Sequence, residues 1–308
     1  MKDGLSNYFY MKKSLFLILL LSGLSQLQAQ SEEAKPLSLS QVSIQLGNYG
    51  ISNNYGGSLE EFKSLSPNSG FLDQDFDDYD QTFFKNGMDF YSTFSIHSTF
   101  DWNGKNDKWK SLHPQLRFGF TSGKANFMNG SLNRTRSHRV DTLVSSRNGQ
   151  EYFIDSVRSE TYTLNYDANF LVINAALIIG SNPKSTWSIY GGVGLSVGMN
   201  YNAKSRVEFY SSYSYEGLER FGGETYSDEW DESTNVEYHS NNGIGLSFMM
   251  SLPLGVNFRL SKEKEFWRYT SLFYEFQPGV SFFDVKGIGG NFYSSVYNSI
   301  GLRVSFWE

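Results

Sequence analysis

Apolar and polar residues alternate one by one along most of the chain. In the clearest segment, one face carries Trp187, Ile189, Val193, Leu195, Val197 and Met199, and the other carries Ser188, Tyr190, Gly192, Gly194, Ser196 and Gly198. A period of two is typical of a β-strand with an apolar environment on one side and a polar one on the other. Eight segments show this pattern, so the sequence predicts eight strands, near residues 38–49, 88–97, 115–120, 171–179, 187–199, 244–258, 271–280 and 299–306.

The connections between these segments alternate in length. Short turns lie near residues 103, 182 and 262, and long connections span 50–82, 123–167, 216–236 and 283–291. An even number of strands with short turns at one end and long loops at the other is typical of a transmembrane β-barrel, which closes because lipid offers no partner to an open sheet edge. The expected fold is all-β, a single antiparallel barrel; ten strands would result if residues 53–80 contained another hairpin. Side chains fill the interior of a barrel of eight strands, so no open pore is expected.

One hairpin is predicted to stand well clear of the membrane. The extended pattern runs from Leu112 to Ser145, turns at Asn148-Gly149, and returns from Glu151 to Ile179. Each arm is about three times as long as the roughly 10 residues that one crossing requires. The basic, polar run Arg134–Arg139 is suited to water, so this hairpin is expected to be extracellular.

The chain ends in an amphipathic strand. The polar Ser299, the glycine Gly301, and the apolar Val304 and Phe306 match the spacing of the C-terminal insertion signal of outer-membrane β-barrels, although two more residues follow Phe306. The chain therefore resembles the small eight-stranded outer-membrane barrels of Gram-negative bacteria. That resemblance implies an outer-membrane location, contact with outer-membrane lipids and lipopolysaccharide, and insertion by the barrel-assembly machinery. It implies no activity.

The N-terminal residues resemble an export signal. A basic start at Met11-Lys12-Lys13 precedes the apolar run Leu15–Leu21, and Ala29 offers a cleavage site. The sequence predicts a signal peptide over residues 1–29, with 1–10 as an upstream leader, and a barrel over residues 30–308. The chain has no cysteine, which excludes disulfides, Cys-zinc sites, thiol catalysis and a lipid anchor at the cleavage site.

The overall charge argues against nucleic acid as a partner. The net charge is −6, and it becomes −8 without residues 1–29, where 23 basic and 31 acidic residues remain. Aromatic residues make up 17% of the chain. Five tryptophans adjoin the short turns or the chain end, where an aromatic belt at the inner membrane interface is expected: Trp102, Trp109, Trp187, Trp267 and Trp307.

Charged residues with inward parity are expected to fill the barrel. Buried charges must pair or keep water, so we predict an interior polar network of ion pairs and hydrogen bonds; a narrow gated pathway is the alternative. Its expected members are Asp89, His97, His113, Arg117, Arg259, Glu275 and Arg303.

Two patterns invite a chemical interpretation. The run Asp73–Asp80 could bind calcium, but Asp78 stands where a calcium loop needs glycine, so a solvated acidic loop is favoured. His113 and Asp101 could form a general-base pair across the first short turn, but at the inner rim, away from the outer leaflet where lipid-modifying barrels act.

The sequence therefore favours a structural or interaction role in the outer membrane, with no catalysis, cofactor or metal. The alternatives are a lipid-modifying outer-membrane enzyme, a small porin or secretion accessory, and a soluble barrel similar to lipocalins. An extracellular partner is not identified by the sequence.

Overall fold

The structure is a computed structural model that describes residues 37–53, 57–83, 87–102, 113–144, 146–182, 185–216, 233–261, 263–264 and 267–306. The predicted signal peptide over 1–29, Trp109 and Trp307 lie outside these residues. Within the described part of the chain, no helix is long and apolar enough to span a membrane.

Strands dominate the described chain. They are β1 (Leu37–Asn53), β2 (Asp80–Phe83), β3 (Gly87–Trp102), β4 (Gln115–Val144), β5 (Glu151–Gly180), β6 (Trp187–Glu216), β7 (Ser233–Ser251), β8 (Leu254–Arg259), β9 (Thr270–Val285) and β10 (Gly289–Ser305). One α-helix, α1 (Leu59–Leu65), follows β1, and a 3₁₀ turn, Trp267–Tyr269, precedes β9.

The sheet closes into a ring of eight antiparallel strands. Neighbours follow one another in chain order, and β10 returns to β1, with the register running from Gln41 opposite Ser305 to Ile51 opposite Ser295. β7 and β8 are two halves of one strand, because both pair with β6 and β9. They are separated at Leu252-Pro253, where proline has no N–H to donate to a ladder. The described residues between β1 and β2, 57–79, add no hairpin to the ring, so the ring formed by the described strands has eight members.

An apolar belt surrounds the ring. The large side chains that alternate outward along the wall are exposed: Ile44, Leu46, Phe94, Phe118, Phe120, Ile173, Leu177, Val193, Leu195, Val197, Leu246, Phe248, Met250, Tyr274, Ile300 and Leu302. A contiguous exposed apolar surface of this size would aggregate in water. It is the surface that a transmembrane barrel presents to lipid, which argues against the soluble-barrel alternative.

The interior differs between its two ends. Near the short turns it is polar, as predicted. Near the long loops it is apolar, because rings from several strands pack edge to face: Phe170 lies 5.0 Å from Tyr49, and Phe127 lies 5.1 Å from Phe283. The expectation of a polar plug throughout the barrel was therefore wrong for this half. A β-bulge between Asn126 and Met128 allows it: four consecutive residues, 125–128, are buried, and Phe127 turns toward β9 and β10.

The first long connection folds into a cap on this apolar end. We use "cap" for residues 57–83. In α1, Leu59, Phe62 and Leu65 are buried at helical spacing, and Ser58 accepts a hydrogen bond from the Glu61 N–H at 3.2 Å. In the acidic run, Phe76 and Tyr79 are buried while Asp73, Asp75, Asp77 and Asp78 are exposed. The carboxylates are thus solvated, as expected, but the segment as a whole is anchored. β2 then adds to the edge of β4, with Asp80 opposite Asn133.

The predicted protruding hairpin is confirmed. β4 and β5 each contain 30 residues and stay paired from Gln115–Ile178 up to Val144–Glu151. The turn between them contains Gly149 with φ of +66°, a conformation that glycine adopts without steric cost. β6 extends the sheet beside β5 as far as Asp155 opposite Glu216. A twisted sheet therefore projects beyond the apolar belt.

The closed ring predicts heat-modifiable migration. Protein extracted from membranes in mild detergent should run as a compact band on a gel when unheated and more slowly after boiling, because the closed backbone ladder resists detergent until heated. Circular dichroism should show β-structure in the unheated sample. Recovery of the protein as a detergent-free monomer from a periplasmic wash would contradict a membrane-spanning ring.

Candidate functional site

A polar network fills the end of the barrel nearest the short turns. Its centre is an ion pair between Arg117 of β4 and Glu275 of β9, whose side chains are 5% and 0% exposed. Tyr190 donates a hydrogen bond to the same carboxylate at 2.7 Å, and Gln277 donates to its other oxygen at 2.5 Å. A buried carboxylate needs this degree of partnering, because burying an unpaired charge is costly.

Arg303 extends the network toward the short turns. Its guanidinium donates to Asn257 at 2.8 Å and to the Tyr190 hydroxyl at 3.4 Å, and it lies 4.5 Å from the centre of the Phe273 ring. The same ring leaves no room for a side chain at Gly301, where a Cβ would lie 2.7 Å from it. Gly301, a member of the predicted C-terminal signal, therefore has a packing role inside the barrel.

His97 lies on the loop side of the ion pair. Gln45 and Asn174 approach its two ring nitrogens at 2.5 Å and 3.4 Å. Ser299, another residue of the C-terminal signal, donates to Gln45 at 2.6 Å. Because amide groups occupy both ring nitrogens, His97 is held in a hydrogen-bond network and is not positioned as a free general base.

The remaining predicted network residues lie at the two ends of the barrel. Asp89 has the inward parity expected of it, but it is exposed at the loop end, where Asn129 donates to it at 2.5 Å. It does not join the interior network, because β3 continues past the polar half of the barrel. Arg259 is half-buried at the turn end. His113 is exposed at that end with φ of +42°.

The proposed His113–Asp101 pair is not formed. Asp101 lies opposite Gln115 in the β3–β4 register and accepts a hydrogen bond from its side chain at 2.7 Å. The pair would require His113 opposite Asp101 across the turn, and the observed register differs from that by two residues.

The described tryptophans of the predicted belt lie at the turn end. Trp102 ends β3, Trp187 begins β6 and Trp267 precedes β9, and all three side chains are exposed. Trp187 packs on Phe258 with ring centres 4.6 Å apart. At the chain end, Val304 and Phe306 of the C-terminal signal have the outward parity of Ile300 and Leu302, and Phe306 is exposed.

Two small cavities lie among the described residues that line the bore. One, of about 50 Å³, is lined by His97, Arg117, Asn174 and Tyr297 among others. The other, of about 20 Å³ at the turn end, is lined by His113, Gln115, Tyr190 and Arg303 among others. Each has room for water, which needs roughly 10–15 Å³. The contacting residues Arg117, Glu275, Tyr190 and Arg303 run from one cavity to the other. Arg117 lines the larger cavity, and Tyr190 and Arg303 line the smaller one.

A second group of charged and aromatic residues fastens the cap to the protruding sheet. Glu160 of β5 accepts a hydrogen bond from Tyr79 of the cap at 2.7 Å and forms ion pairs with Arg134 and Arg158. The Arg134 guanidinium lies 4.1 Å from the centre of the Tyr79 ring. Phe76 packs beside them, 5.3 Å from the Tyr162 ring. We call Tyr79, Glu160, Arg134 and Phe76 the clamp.

The clamp shifts the pKa values of its members. Burial alone would raise the pKa of the Glu160 carboxyl, but the hydrogen bonds from Tyr79 and Arg134 and the positive charge of Arg158 outweigh it, so the pKa lies below its ordinary value of 4.5. Burial, and then the hydrogen bond to Glu160, raise the pKa of Tyr79. Both groups therefore keep the protonation states that the clamp requires throughout the neutral range.

Sequence reasoning missed the cap and its clamp. A signal for α1 was present in Ser58-Leu59-Glu60-Glu61, a capping-box sequence followed by apolar residues at helical spacing. The clamp joins Phe76 and Tyr79 of the cap to sheet residues more than 50 positions away in sequence, and no local pattern shows such a pairing.

One serine of the cap lies next to a carboxylate and a histidine of β7. Ser69 donates to Glu237 at 2.6 Å, and the His239 Nε2 lies 3.5 Å from the same carboxylate oxygen. A nucleophilic serine requires a base that accepts its proton. Here the hydroxyl is directed at the carboxylate and not at the imidazole, so the arrangement attaches the cap to β7. In the described residues, no group of three or more His, Asp or Glu side chains could hold a metal ion.

The buried ion pair leads to a stability prediction. Glu275→Ala should lower the free energy of unfolding in lipid or detergent by about 3–5 kcal/mol, because Arg117 would remain buried without its partner. Arg136→Ala is the matched control: its pair with Asp78 is largely exposed, and such pairs contribute about 1 kcal/mol or less. Equal effects of the two changes in urea titrations would contradict the buried-pair assignment.

The clamp leads to a pH prediction. Because the pKa of Glu160 is depressed in the folded protein, its contribution is complete above 4.5 and is lost as the pH falls through its folded value. Glu160→Gln should loosen the cap at pH 7 and have progressively less effect below pH 4.5. A fluorophore on Glu60→Cys in α1 can follow cap release in urea, with Asp78→Asn as the control on an exposed cap carboxylate. If the urea concentration for cap release differed between Glu160→Gln and the parent by the same amount at every pH, the result would contradict a role for the ionised Glu160 carboxylate.

Comparisons with known proteins find only distant structural similarity. No protein-family model and no curated protein sequence matches the chain. Among solved structures, Neisserial surface protein A is 14% identical, with a TM-score of 0.33, over 88% of this chain and 100% of its own. Ail, the attachment invasion locus protein of Yersinia pestis, solved with a heparin analogue, is 10% identical, with a TM-score of 0.24, over 87% and 100%. The translocator domain of the autotransporter NalP from Neisseria meningitidis is 9% identical, with a TM-score of 0.18, over 99% and 98%.

These scores are too low to transfer a function, so the conclusion rests on the ring and its surface. Eight antiparallel strands close on themselves, an apolar belt surrounds them, and polar groups fill half of the bore. The chain has the fold of a small eight-stranded outer-membrane β-barrel.

Proposed function

We propose that this protein is a surface-exposed outer-membrane protein with an interaction role. The observation that carries the proposal is the sheet beyond the apolar belt: residues 135–142 of β4 are all exposed, on both faces of the strand. A barrel needs only about 9–11 residues per strand to cross the membrane. The additional length of β4, β5 and β6 is therefore available for contacts outside the cell.

The filled interior supports an interaction role over a porin. The aromatic rings around Phe127 and Phe170 occupy the bore near the loops, and the cap lies above them. Toward the short turns, the Arg117–Glu275 pair and Tyr190 cross the bore. A pore would require both obstructions to move, and lumen side chains tune selectivity only where a channel exists.

The polar groups also support an interaction role over lipid-modifying catalysis. His97 is held between two amides, His113 lacks Asp101 as a partner, and Ser69 is directed at a carboxylate. None has the arrangement of nucleophile and base that hydrolysis requires.

The proposal includes export and insertion partners. The signal peptide over residues 1–29 would direct secretion, the barrel-assembly machinery would recognise the C-terminal strand, and outer-membrane lipids and lipopolysaccharide would contact the belt. Nucleic acid is disfavoured by the acidic charge. No cofactor is required for this role.

Surface exposure can be tested by cysteine labelling, since the chain contains no cysteine of its own. Thr142→Cys near the hairpin tip should react with a membrane-impermeant maleimide on intact cells. Lys264→Cys in a short turn should react only after the outer membrane is permeabilised. Labelling of Lys264→Cys and not of Thr142→Cys on intact cells would reverse the orientation and overturn the proposal.

A further inference from the structure

The protruding sheet has a free edge along β4. On the side of β4 away from β5, β3 pairs with β4 only up to Phe94 opposite Ser122, and β2 pairs with it from Gly130 to Asn133. Beyond Asn133, no strand in the described part of the chain pairs with this side of β4. An unpaired strand edge presents backbone donors and acceptors to any extended chain nearby.

The register shows which residues present these groups. In antiparallel sheets, residues alternate between bonding to one neighbour and to the other. The Ser181 N–H donates to the Ile189 carbonyl. The odd-numbered residues of β5 therefore form their backbone hydrogen bonds with β6, and the even-numbered residues form theirs with β4. The even residues Ser156 and Arg158 lie opposite His138 and Arg136. His138 and Arg136 therefore form their backbone hydrogen bonds with β5. The residues that alternate with them along β4, Thr135 and Ser137, direct their N–H and C=O groups to the free edge.

The chain itself shows that this edge accepts a strand. β2 is a four-residue segment that pairs antiparallel to β4 immediately below the free region. Next to it, Asp78 of the cap accepts a hydrogen bond from Arg136 at 3.0 Å. Together they display both elements of recognition: backbone pairing, and a carboxylate opposite a basic side chain.

The charge of the edge favours an acidic partner. From Arg134 to Arg139 the sequence has three arginines and one histidine and no acidic residue. The side chains of Arg136 and Arg139 remain 59% and 56% exposed, although each already forms one ion pair, with Asp78 and Asp155 respectively. Opposite charges on adjacent strands stabilise a pair, and like charges directly opposite destabilise it.

The same charges disfavour a second copy as the occupant. Two barrels in one membrane point the same way, so their β4 edges would meet in parallel, and in register each arginine would face its own equivalent. Barrels in two facing membranes would meet in an antiparallel contact, which, if centred on Ser137, would place Arg136 opposite His138. Both arrangements bring basic residues together.

We propose that the free edge of β4, Thr135–Val144, binds an extended, acidic segment of another protein by β-strand addition. Backbone hydrogen bonds to Thr135 and Ser137 give the affinity, and carboxylates opposite Arg136 and His138, which are exposed on one face of β4, give the preference for acidic sequence. This inference rests on the proposed surface role and specifies its partner.

The test uses the full-length protein in detergent micelles and two labelled ten-residue probes, alternating Thr-Glu and alternating Thr-Lys. Fluorescence anisotropy should show binding of the Thr-Glu peptide and little binding of the Thr-Lys peptide. Ser137→Pro removes an edge N–H without removing a β4–β5 hydrogen bond, so it should weaken Thr-Glu binding by about tenfold, the effect of about 1.4 kcal/mol. Ser137→Ala keeps the N–H and should bind like the parent.

The side-chain preference is tested separately. Arg136→Glu combined with His138→Glu should reverse the preference and favour the Thr-Lys peptide. Heat-modifiable migration of every variant confirms that the barrel is intact. A Thr-Glu peptide that binds Ser137→Pro as well as Ser137→Ala would show electrostatic adsorption and overturn strand addition.

Two further outcomes overturn the inference. One is no binding of either peptide by the parent. The other is self-association of the parent in sedimentation that Ser137→Pro abolishes, which would make a second copy the occupant. In both cases, labelling of Thr142→Cys on intact cells would still uphold the surface role, so the two failures are distinguishable.

Discussion

The structure depends on satisfying every backbone hydrogen bond without water. In hydrocarbon an unpaired N–H or C=O costs several kcal/mol, so a sheet must close on itself. The pairing of β1 with β10 provides this closure. The strand count, the outward apolar parity and the position of the chain's last strand all follow from it. Outside the membrane water satisfies backbone groups, and there the sheet has a free edge along β4.

Closure also explains what the sequence predicted well. A barrel wall imposes a period of two on each strand that faces lipid, and that period is visible without knowledge of any distant contact. Residues 187–199 and 300–306 show it directly. The eight-strand count and the protruding hairpin could be predicted because the period, the turn residues and the strand lengths are all local properties.

The interior and the cap were less predictable, for physical reasons. Arg117, Glu275 and Arg303 could be placed inside by parity, but their partners depend on which strands face each other across the bore. The bulge at Asn126–Met128 changes the parity of β4, so that Phe127 reaches the core although its neighbours are also buried. The cap was read as an acidic loop because its aspartates dominate the composition. The aromatic residues that anchor it, Phe76 and Tyr79, are outnumbered by the aspartates around them and have no regular spacing.

The regularity of β5 has a mechanical consequence. The shifts in its pairing with β4 fall where β4 has an extra residue, the shift in its pairing with β6 falls where β6 has one, and β5 itself contains no extra residue from Glu151 to Gly180. A load attached near the hairpin tip would pull β4 and β5 in the same direction, away from the cell. The stress would then pass into the β5–β6 ladder as shear, distributed over many parallel bonds instead of opening them one at a time. Such a projection would stay stiff under tension and would transmit the load to the wall of the barrel.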